Sequence, residues 1–156
     1  MAAIITLKSV ESQDGFLSVF EHLMPGSIER AYFIYNVPES SVRGGHRHRE
    51  TWQGLICLNG SCKIYIQESE ESDYFITLDS PQKCLLLKPS DWHQMSEFTK
   101  GSILLVLANK NYDPADYIDK PYDEFKVIQK LYSPENSWWL SPFYRSKNWI
   151  KVIPGN

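Results

Sequence analysis

The stretch Arg43-Gly44-Gly45-His46-Arg47-His48-Arg49-Glu50-Thr51-Trp52-Gln53 decides the fold of this 156-residue chain and points to its site. Two histidines spaced two residues apart on a strand project from the same face. The glycine pair before them allows a ligand or another backbone to approach closely. An imidazole titrates near neutral pH, so the pair predicts acid–base chemistry on one face of a β-strand.

Short β-rich runs surround this motif along the first two thirds of the chain, and turn residues separate most of them. Many short strands at regular spacing indicate an all-β sandwich or barrel. The predicted strands cover residues 4–10, 15–22, 30–37, 52–58, 61–67, 74–78, 84–88 and 101–108.

The segment 55–66 predicts a hairpin, because Asn59-Gly60 suits a tight primed turn. After this turn, Cys62, Ile64 and Ile66 alternate with more polar residues. This alternation is typical of a sheet with one buried face.

Helical structure is predicted only late in the chain, as short turns at residues 114–117 and 121–125. Asp113 and Asp119 precede these turns and are suited to cap them. We expect a single domain over residues 1–126. Residues 127–156 are rich in aromatic side chains, and we expect them to pack over the barrel or over a second subunit.

The composition excludes some classes of function. The net charge of −3, from 16 basic and 19 acidic residues, provides no global field to attract nucleic acid, so an anion site must be built locally. No apolar run approaches the roughly 20 residues of a membrane span, and residues 1–7 are too short for a signal peptide. We therefore expect a cytoplasmic protein whose three cysteines, Cys57, Cys62 and Cys84, are reduced and buried.

A third histidine, His93, lies in the segment Pro89-Ser90-Asp91-Trp92-His93. Three converging imidazoles would suffice to hold zinc or iron. A facial iron site also needs a carboxylate, and the residue that ends the histidine motif, Gln53, is a neutral amide. We therefore favour acid–base chemistry without a metal, with a metal-dependent enzyme as the alternative.

Two further side chains are candidates for the site. Arg43 carries a planar fork of donors that suits phosphate, and it precedes the glycine pair. Tyr35 lies near the end of the predicted strand 30–37. If strand alternation holds, Arg47 and Arg49 lie on the face opposite to the histidines.

The spacing of Arg43-Gly44, His46, His48, Gln53 and Gly60 resembles the first motif of the cupins, which are small jelly-roll β-barrels with a histidine pair inside. Together with Tyr32-Phe33-Ile34-Tyr35, the segment Pro89 to His93, Tyr112-Asp113 and Asp116-Tyr117, it looks like the WxcM-like sugar 3,4-ketoisomerases. The resemblance spans roughly residues 3–125. It implies a double-stranded β-helix (jelly-roll) barrel and a homodimer that exchanges N-terminal strands. Arg47 departs from the pattern, because the family usually has a small residue between the histidines.

The resemblance also implies an activity. Such enzymes move the ketone of a thymidine diphosphate-linked 4-keto-6-deoxy sugar from C4 to C3, without metal or coenzyme. We expect His46, His48 and Tyr35 to be catalytic, and Arg43, Gln53 and His93 to bind the substrate. Two alternatives stay open: a metal-dependent cupin oxygenase or epimerase, and a nucleotide-sugar-binding module without catalysis.

Overall fold

The computed structural model of the protein describes residues 2–128, and the predicted aromatic extension therefore lies almost wholly outside the described residues. Twelve β-strands and one short 3-10 helix follow one another in these residues: β1 (Ala3–Thr6), β2 (Lys8–Ser12), β3 (Gly15–Val19), β4 (Arg30–Tyr35), β5 (Arg43–His48), β6 (Gln53–Asn59), β7 (Cys62–Gln67), β8 (Asp73–Leu78), β9 (Lys83–Leu87), β10 (Trp92–Ser96), β11 (Ile103–Ala108), the helix (Pro114–Asp116) and β12 (Tyr117–Ile118).

The strands form two five-stranded antiparallel sheets and a separate hairpin. One sheet has the order β1-β9-β6-β11-β4, the other has the order β12-β5-β10-β7-β8, and β2 pairs with β3. Apart from the consecutive strands β7 and β8, the neighbours in the two sheets come from distant parts of the sequence, as in a jelly roll. The all-β prediction with a cupin-type barrel is therefore confirmed.

The main core lies between the two sheets. Leu55, Leu85 and Leu104 enter it from the first sheet, and Ile64 and Ile66 enter it from the second. All five side chains are fully buried. Burying a side chain of this size contributes about 1.5–3 kcal/mol, so the two sheets are held as one barrel.

A second buried cluster covers the outer face of the first sheet. Ile56, Cys84 and Leu107 point outward there and are packed against Leu7 and Met24 from the N-terminal segment. The predicted strand 4–10 is broken at this point, because Leu7 is buried in the cluster and its backbone N–H donates to the carbonyl of Gln82.

The prediction of a hairpin over residues 55–66 is wrong. The turn at Asn59-Gly60 exists, with a positive φ of 68° at the glycine, but β6 and β7 belong to different sheets. The turn is a corner of the barrel. A Cβ at residue 60 would lie 2.5 Å from the Thr99 hydroxyl, so glycine is also needed for close packing.

The predicted one-sided burial of β7 also fails, because Tyr65 and Gln67 are buried as well as the alternate apolar residues. The Gln67 amide accepts from the backbone N–H groups of Tyr122 and Asp123 and donates to the Asp123 carbonyl. The segment after β12 therefore covers this face as an irregular strap, where a helical turn was predicted for residues 121–125. The other predicted helical turn is confirmed, with Asp113 as its N-cap.

Candidate active site

Three imidazoles meet at the inner face of the second sheet. The ring centroids of His46 and His48 are 5.1 Å apart, which confirms that the two histidines share one face of β5. His93 lies opposite His46 in the register of β10 and β5, and their ring centroids are also 5.1 Å apart. The sheet register therefore brings together all three histidines that the sequence singled out.

The glycine pair explains how β5 presents its histidines. Gly44 and Gly45 both have positive φ angles, 78° and 82°, which few other residues adopt without strain. The register between β5 and β10 shifts between His93 and Gln94, where β5 bulges. A Cβ at residue 44 would lie 2.8 Å from the His93 carbonyl oxygen. Glycine therefore permits the close backbone contact beside the His46–His93 pair.

The 3-10 helix and the short strand β12 that follows it add a carboxylate and an aromatic ring to this cluster. The Nδ1 atom of His48 lies 2.8 Å from the Oδ2 atom of Asp116. Tyr117 pairs with His48 in the register, and its ring centroid lies 4.6 Å from that of His48 and 4.8 Å from that of His46. The two histidines of β5 are thus enclosed on the side of β12.

His93 is the most deeply buried of the three imidazoles. Burial in the barrel, together with the nearby His48, lowers its pKa from the usual 6.5 to about 4. Its Nδ1 atom contacts the Asp91 carbonyl oxygen at 3.2 Å, and its Nε2 atom is buried without a hydrogen-bond partner among residues 2–128. His93 is therefore neutral at pH 7, and Nε2 is suited to a hydrogen bond with a polar ligand.

A second wall of the site is built around Tyr32 on β4. The Gln53 amide donates a hydrogen bond to the Tyr32 hydroxyl at 3.1 Å, and both side chains are largely buried. Burial, with a smaller contribution from Tyr117, raises the pKa of Tyr32 to about 12, against the opposing charges of Arg30 and Arg43. Tyr32 is therefore a neutral hydroxyl at pH 7, and the charges of Arg30 and Arg43 act on it.

The two cations make this corner locally positive in a chain of net negative charge. The Arg30 guanidinium lies over the Tyr32 ring at 5.3 Å and over the Tyr112 ring at 5.7 Å. Burial raises the pKa of Tyr117, and Arg30 opposes this rise. Arg43 is partly buried, and burial lowers its pKa. Such a pair of guanidinium groups is suited to an anionic ligand such as a diphosphate.

The structure does not bring Tyr35 to the histidines. Residues alternate between the two faces of β4, so Tyr35 lies on the face opposite to Tyr32, with 63 % of its surface exposed. The expectation that Tyr35 acts with His46 and His48 therefore does not fit this geometry. Tyr32 is the tyrosine of that strand that reaches the inside of the barrel.

Arg47 and Arg49 lie on the outer side of β5, as alternation predicted, but they pack against other residues. The Arg47 guanidinium lies 4.1 Å from the centroid of the Tyr122 ring, and the Arg49 Nε–H donates to the Ala115 carbonyl. The arginine between the histidines therefore holds the strap after β12 against the barrel.

Potential metal ligands form no metal-binding cluster in the part of the chain that the structure describes. Within residues 2–128, no group of three or more His, Cys, Asp or Glu side chains is arranged to hold a metal ion.

The same residues contain no helix long and apolar enough to cross a membrane. All three cysteines are buried free thiols, as predicted.

Sequence patterns predicted no functional role for four residues of the site: Arg30, Tyr32, Asp116 and Tyr117. Arg30 and Tyr32 share the inner face of β4, and correct assignment of that face would have identified them. Asp116 lies 68 residues beyond His48 in the chain, and Tyr117 follows it. The proximity of both residues therefore depends on the long-range pairing of β12 with β5.

Comparison with known proteins gives consistent matches. The family model described as "FdtA: WxcM-like, C-terminal" matches residues 1–130. A TDP-4-oxo-6-deoxy-α-D-glucose-3,4-oxoisomerase of Aneurinibacillus thermoaerophilus is 38 % identical over 120 residues, which cover 76 % of this chain and 85 % of the relative.

Solved structures of similar proteins agree with this match. One is a histidine-to-asparagine mutant of the 3,4-ketoisomerase QdtA from Thermoanaerobacterium thermosaccharolyticum, in complex with TDP-4-keto-6-deoxyglucose. It is 37 % identical in sequence and superposes with a TM-score of 0.72. The match covers 76 % of this chain and 87 % of the QdtA chain. The WlaRB TDP-quinovose 3,4-ketoisomerase from Campylobacter jejuni is 34 % identical with a TM-score of 0.73, covering 80 % and 95 %.

Proposed function

This chain belongs to the WxcM-like, C-terminal (FdtA) family, and we propose that it is an isomerase that moves the ketone of a TDP-linked 4-keto-6-deoxy sugar from C4 to C3. The observation that carries the proposal is the convergence of His46, His48 and His93 beside two arginines inside one barrel. The first feature suits proton transfer, and the second suits a nucleoside diphosphate.

The reaction needs only proton transfers. A base removes the proton from C3, and the C–H electron pair forms a C3–C4 double bond as the C4 carbonyl oxygen takes a proton. The enediol then loses the proton of the C3 hydroxyl, the ketone forms at C3, and C4 takes a proton. We assign the carbon protons to one imidazole of the pair on β5, and the oxygen protons to the other imidazole or to a neighbouring hydroxyl.

The remaining residues hold the substrate. Arg43 is suited to the diphosphate. Arg30 is suited to the developing enediolate, where fixed positive charge stabilises the transition state. The Gln53 amide is suited to hydroxyl or carbonyl oxygens of the sugar, and the Nε2 atom of His93 is suited to accept from a sugar hydroxyl. Tyr32, with its neutral hydroxyl, replaces Tyr35 as the candidate for oxygen proton transfer.

We propose that catalysis needs no metal ion. Gln53 is an amide, and its Nε2–H group donates to Tyr32. The proposal is tested by incubating purified protein with TDP-4-keto-6-deoxyglucose after exhaustive chelation and locating the product ketone by NMR. A 3-keto product formed at an unchanged rate supports the proposal. Activity that is lost and then restored by one metal indicates the metal-dependent alternative, and tight binding without conversion indicates a binding module.

We also propose a homodimer in which N-terminal strands take part. The hairpin of β2 and β3 leaves Val10, Phe16 and Leu17 exposed, and the outer face of β4 exposes Phe33 and Tyr35. Apolar groups on a sheet face and on a projecting hairpin are typical of a subunit contact. Since β1 already pairs with β9 of the same chain, β2 and β3 are the strands available for exchange. A monomer at micromolar concentration in sedimentation would contradict this proposal.

The three buried free thiols and a nucleotide-linked substrate are consistent with the reducing cytoplasm, which we propose as the location.

A further inference from the structure

Hydrogen bonds hold both carboxylate oxygens of Asp116. Its Oδ2 atom faces the His48 Nδ1 atom at 2.8 Å and accepts from the Thr51 hydroxyl at 2.5 Å. Its Oδ1 atom accepts from the backbone N–H groups of Arg49 and Glu50 at 3.0 and 2.8 Å. Both oxygens are therefore fixed, and the carboxylate cannot rotate away from the imidazole without breaking several hydrogen bonds.

These contacts keep Asp116 ionised. Burial raises its pKa, but the hydrogen bonds from Thr51, Glu50 and His48 outweigh burial, and its pKa lies below the usual range. An ionised carboxylate only accepts hydrogen bonds. The hydrogen between the two groups therefore belongs to Nδ1 of His48.

A proton on Nδ1 determines the role of the other ring nitrogen. In a neutral imidazole with Nδ1 protonated, Nε2 carries a lone pair and is the atom that accepts a proton. The His48 ring also packs against His46 and Tyr117, which line the candidate site. His93 differs, because its Nδ1 contact is a backbone carbonyl and carries no formal charge.

We propose that Asp116 is a positioning residue of the reaction: it holds His48 in the Nδ1–H tautomer, so that Nε2 takes the carbon proton, and it stabilises the imidazolium that results. This inference rests on the proposed isomerase function and makes His48 the carbon base of the pair. Asp116 does not take the proton itself. The same logic governs a serine protease triad, where the aspartate orients the imidazole.

The substitution Asp116→Asn tests the inference, because the two side chains have the same shape. The amide oxygen can keep the bonds to the backbone N–H groups of residues 49 and 50. The amide NH₂ would then donate to Nδ1, which moves the ring hydrogen to Nε2. We expect kcat to fall about 10²- to 10⁴-fold, as for the loss of a general base or its orienting carboxylate, while the affinity for TDP changes less than about threefold.

The matched control is Asp113→Asn, which removes the same charge three residues earlier on the same turn. Asp113 accepts from the Ala115 backbone N–H at 2.8 Å as an N-cap, and asparagine caps equally well. We expect its kcat to stay within about twofold of the wild-type value.

NMR of protein with ¹⁵N-labelled histidine measures the tautomer of the His48 ring, which a purely structural role of Asp116 would leave unchanged. We expect the Nδ1–H tautomer for His48 in the wild type and the Nε2–H tautomer in Asp116→Asn. An Nε2–H tautomer in the wild type would overturn the inference even if the variant failed to fold. A wild-type rate in Asp116→Asn, or slow turnover with the tautomer unchanged, would also overturn it. Absence of turnover in the wild type would instead refute the proposed function, and with it any catalytic role for Asp116.

Discussion

The substitution Gly44→Ala tests whether the close contact between β5 and β10 sets the geometry of the histidines. The new methyl group would lie 2.8 Å from the His93 carbonyl oxygen and 3.5 Å from the Gln94 Cα atom. Both are backbone atoms of a central strand, so neither can move without displacing β10. The next residue, Gly45, also has a positive φ, but a Cβ there would meet only the Trp92 ring, at 4.0 Å. Gly45→Ala is therefore a matched control.

The magnitude follows from two costs. Alanine in the left-handed region costs about 1–2 kcal/mol at either position. The clash adds about 1–3 kcal/mol at position 44 alone, as in other overpacked interiors. The gain from restricting the unfolded chain is common to both variants and cancels between them. We therefore expect Gly44→Ala to lose about 2–5 kcal/mol of unfolding free energy and Gly45→Ala about 1–2 kcal/mol.

Urea unfolding at one fixed protein concentration measures both values, with kcat determined on the same preparations. Because the clash falls on the backbone of His93, we also expect Gly44→Ala to lose at least tenfold in kcat when folded, and Gly45→Ala to lose less. Equal losses of stability and activity in the two variants would refute the reasoning, since backbone strain alone would then account for the glycine pair.

Substitutions at Tyr32, Arg43 and His93 probe the remaining walls of the site. Tyr32→Phe should lower kcat/KM about tenfold or more through the lost hydroxyl contact with Gln53, and Tyr35→Phe should stay within about twofold; the reverse order would restore Tyr35 as the site tyrosine. Arg43→Ala should raise KM for the TDP-sugar by tenfold or more with kcat little changed, and a change confined to kcat would contradict an anion-binding role. His93 has a folded-state pKa of about 4 against 6.5 when unfolded, so the unfolded chain binds more protons between these values. His93 alone should therefore lower the unfolding free energy by about 3 kcal/mol as the pH drops from 7 to 4, and His93→Gln should remove that contribution; a pH dependence that is the same in the variant would contradict the buried neutral imidazole.

The sequence sufficed for the features that depend on local pattern. Strand alternation placed His46 and His48 on one face, and the Asp113-Pro114 pair predicted the capped turn before β12. The number and spacing of short apolar runs predicted an all-β barrel. Each of these follows from the preferences of residues that are close together in the chain.

Features that depend on the pairing of distant strands could not be predicted from the sequence. Asn59-Gly60 has the chemistry of a hairpin turn, but a turn does not determine which strands pair, and β6 and β7 enter different sheets. The expectation for Tyr35 does not fit the structure, because nothing local in the sequence tells which face of β4 points inward. Asp116 is brought to His48 only by the pairing of β12 with β5.

The central claim is tested most directly by NMR of the reaction in deuterium oxide, with the purified protein and TDP-4-keto-6-deoxyglucose alone. Because the imidazole hydrogens of His48 exchange with solvent, the account predicts a 3-keto product with deuterium at C4, and near-complete loss of turnover in His48→Asn with TDP binding retained. An unchanged 4-keto sugar, or a 3-keto product formed at the wild-type rate by His48→Asn, would contradict the account.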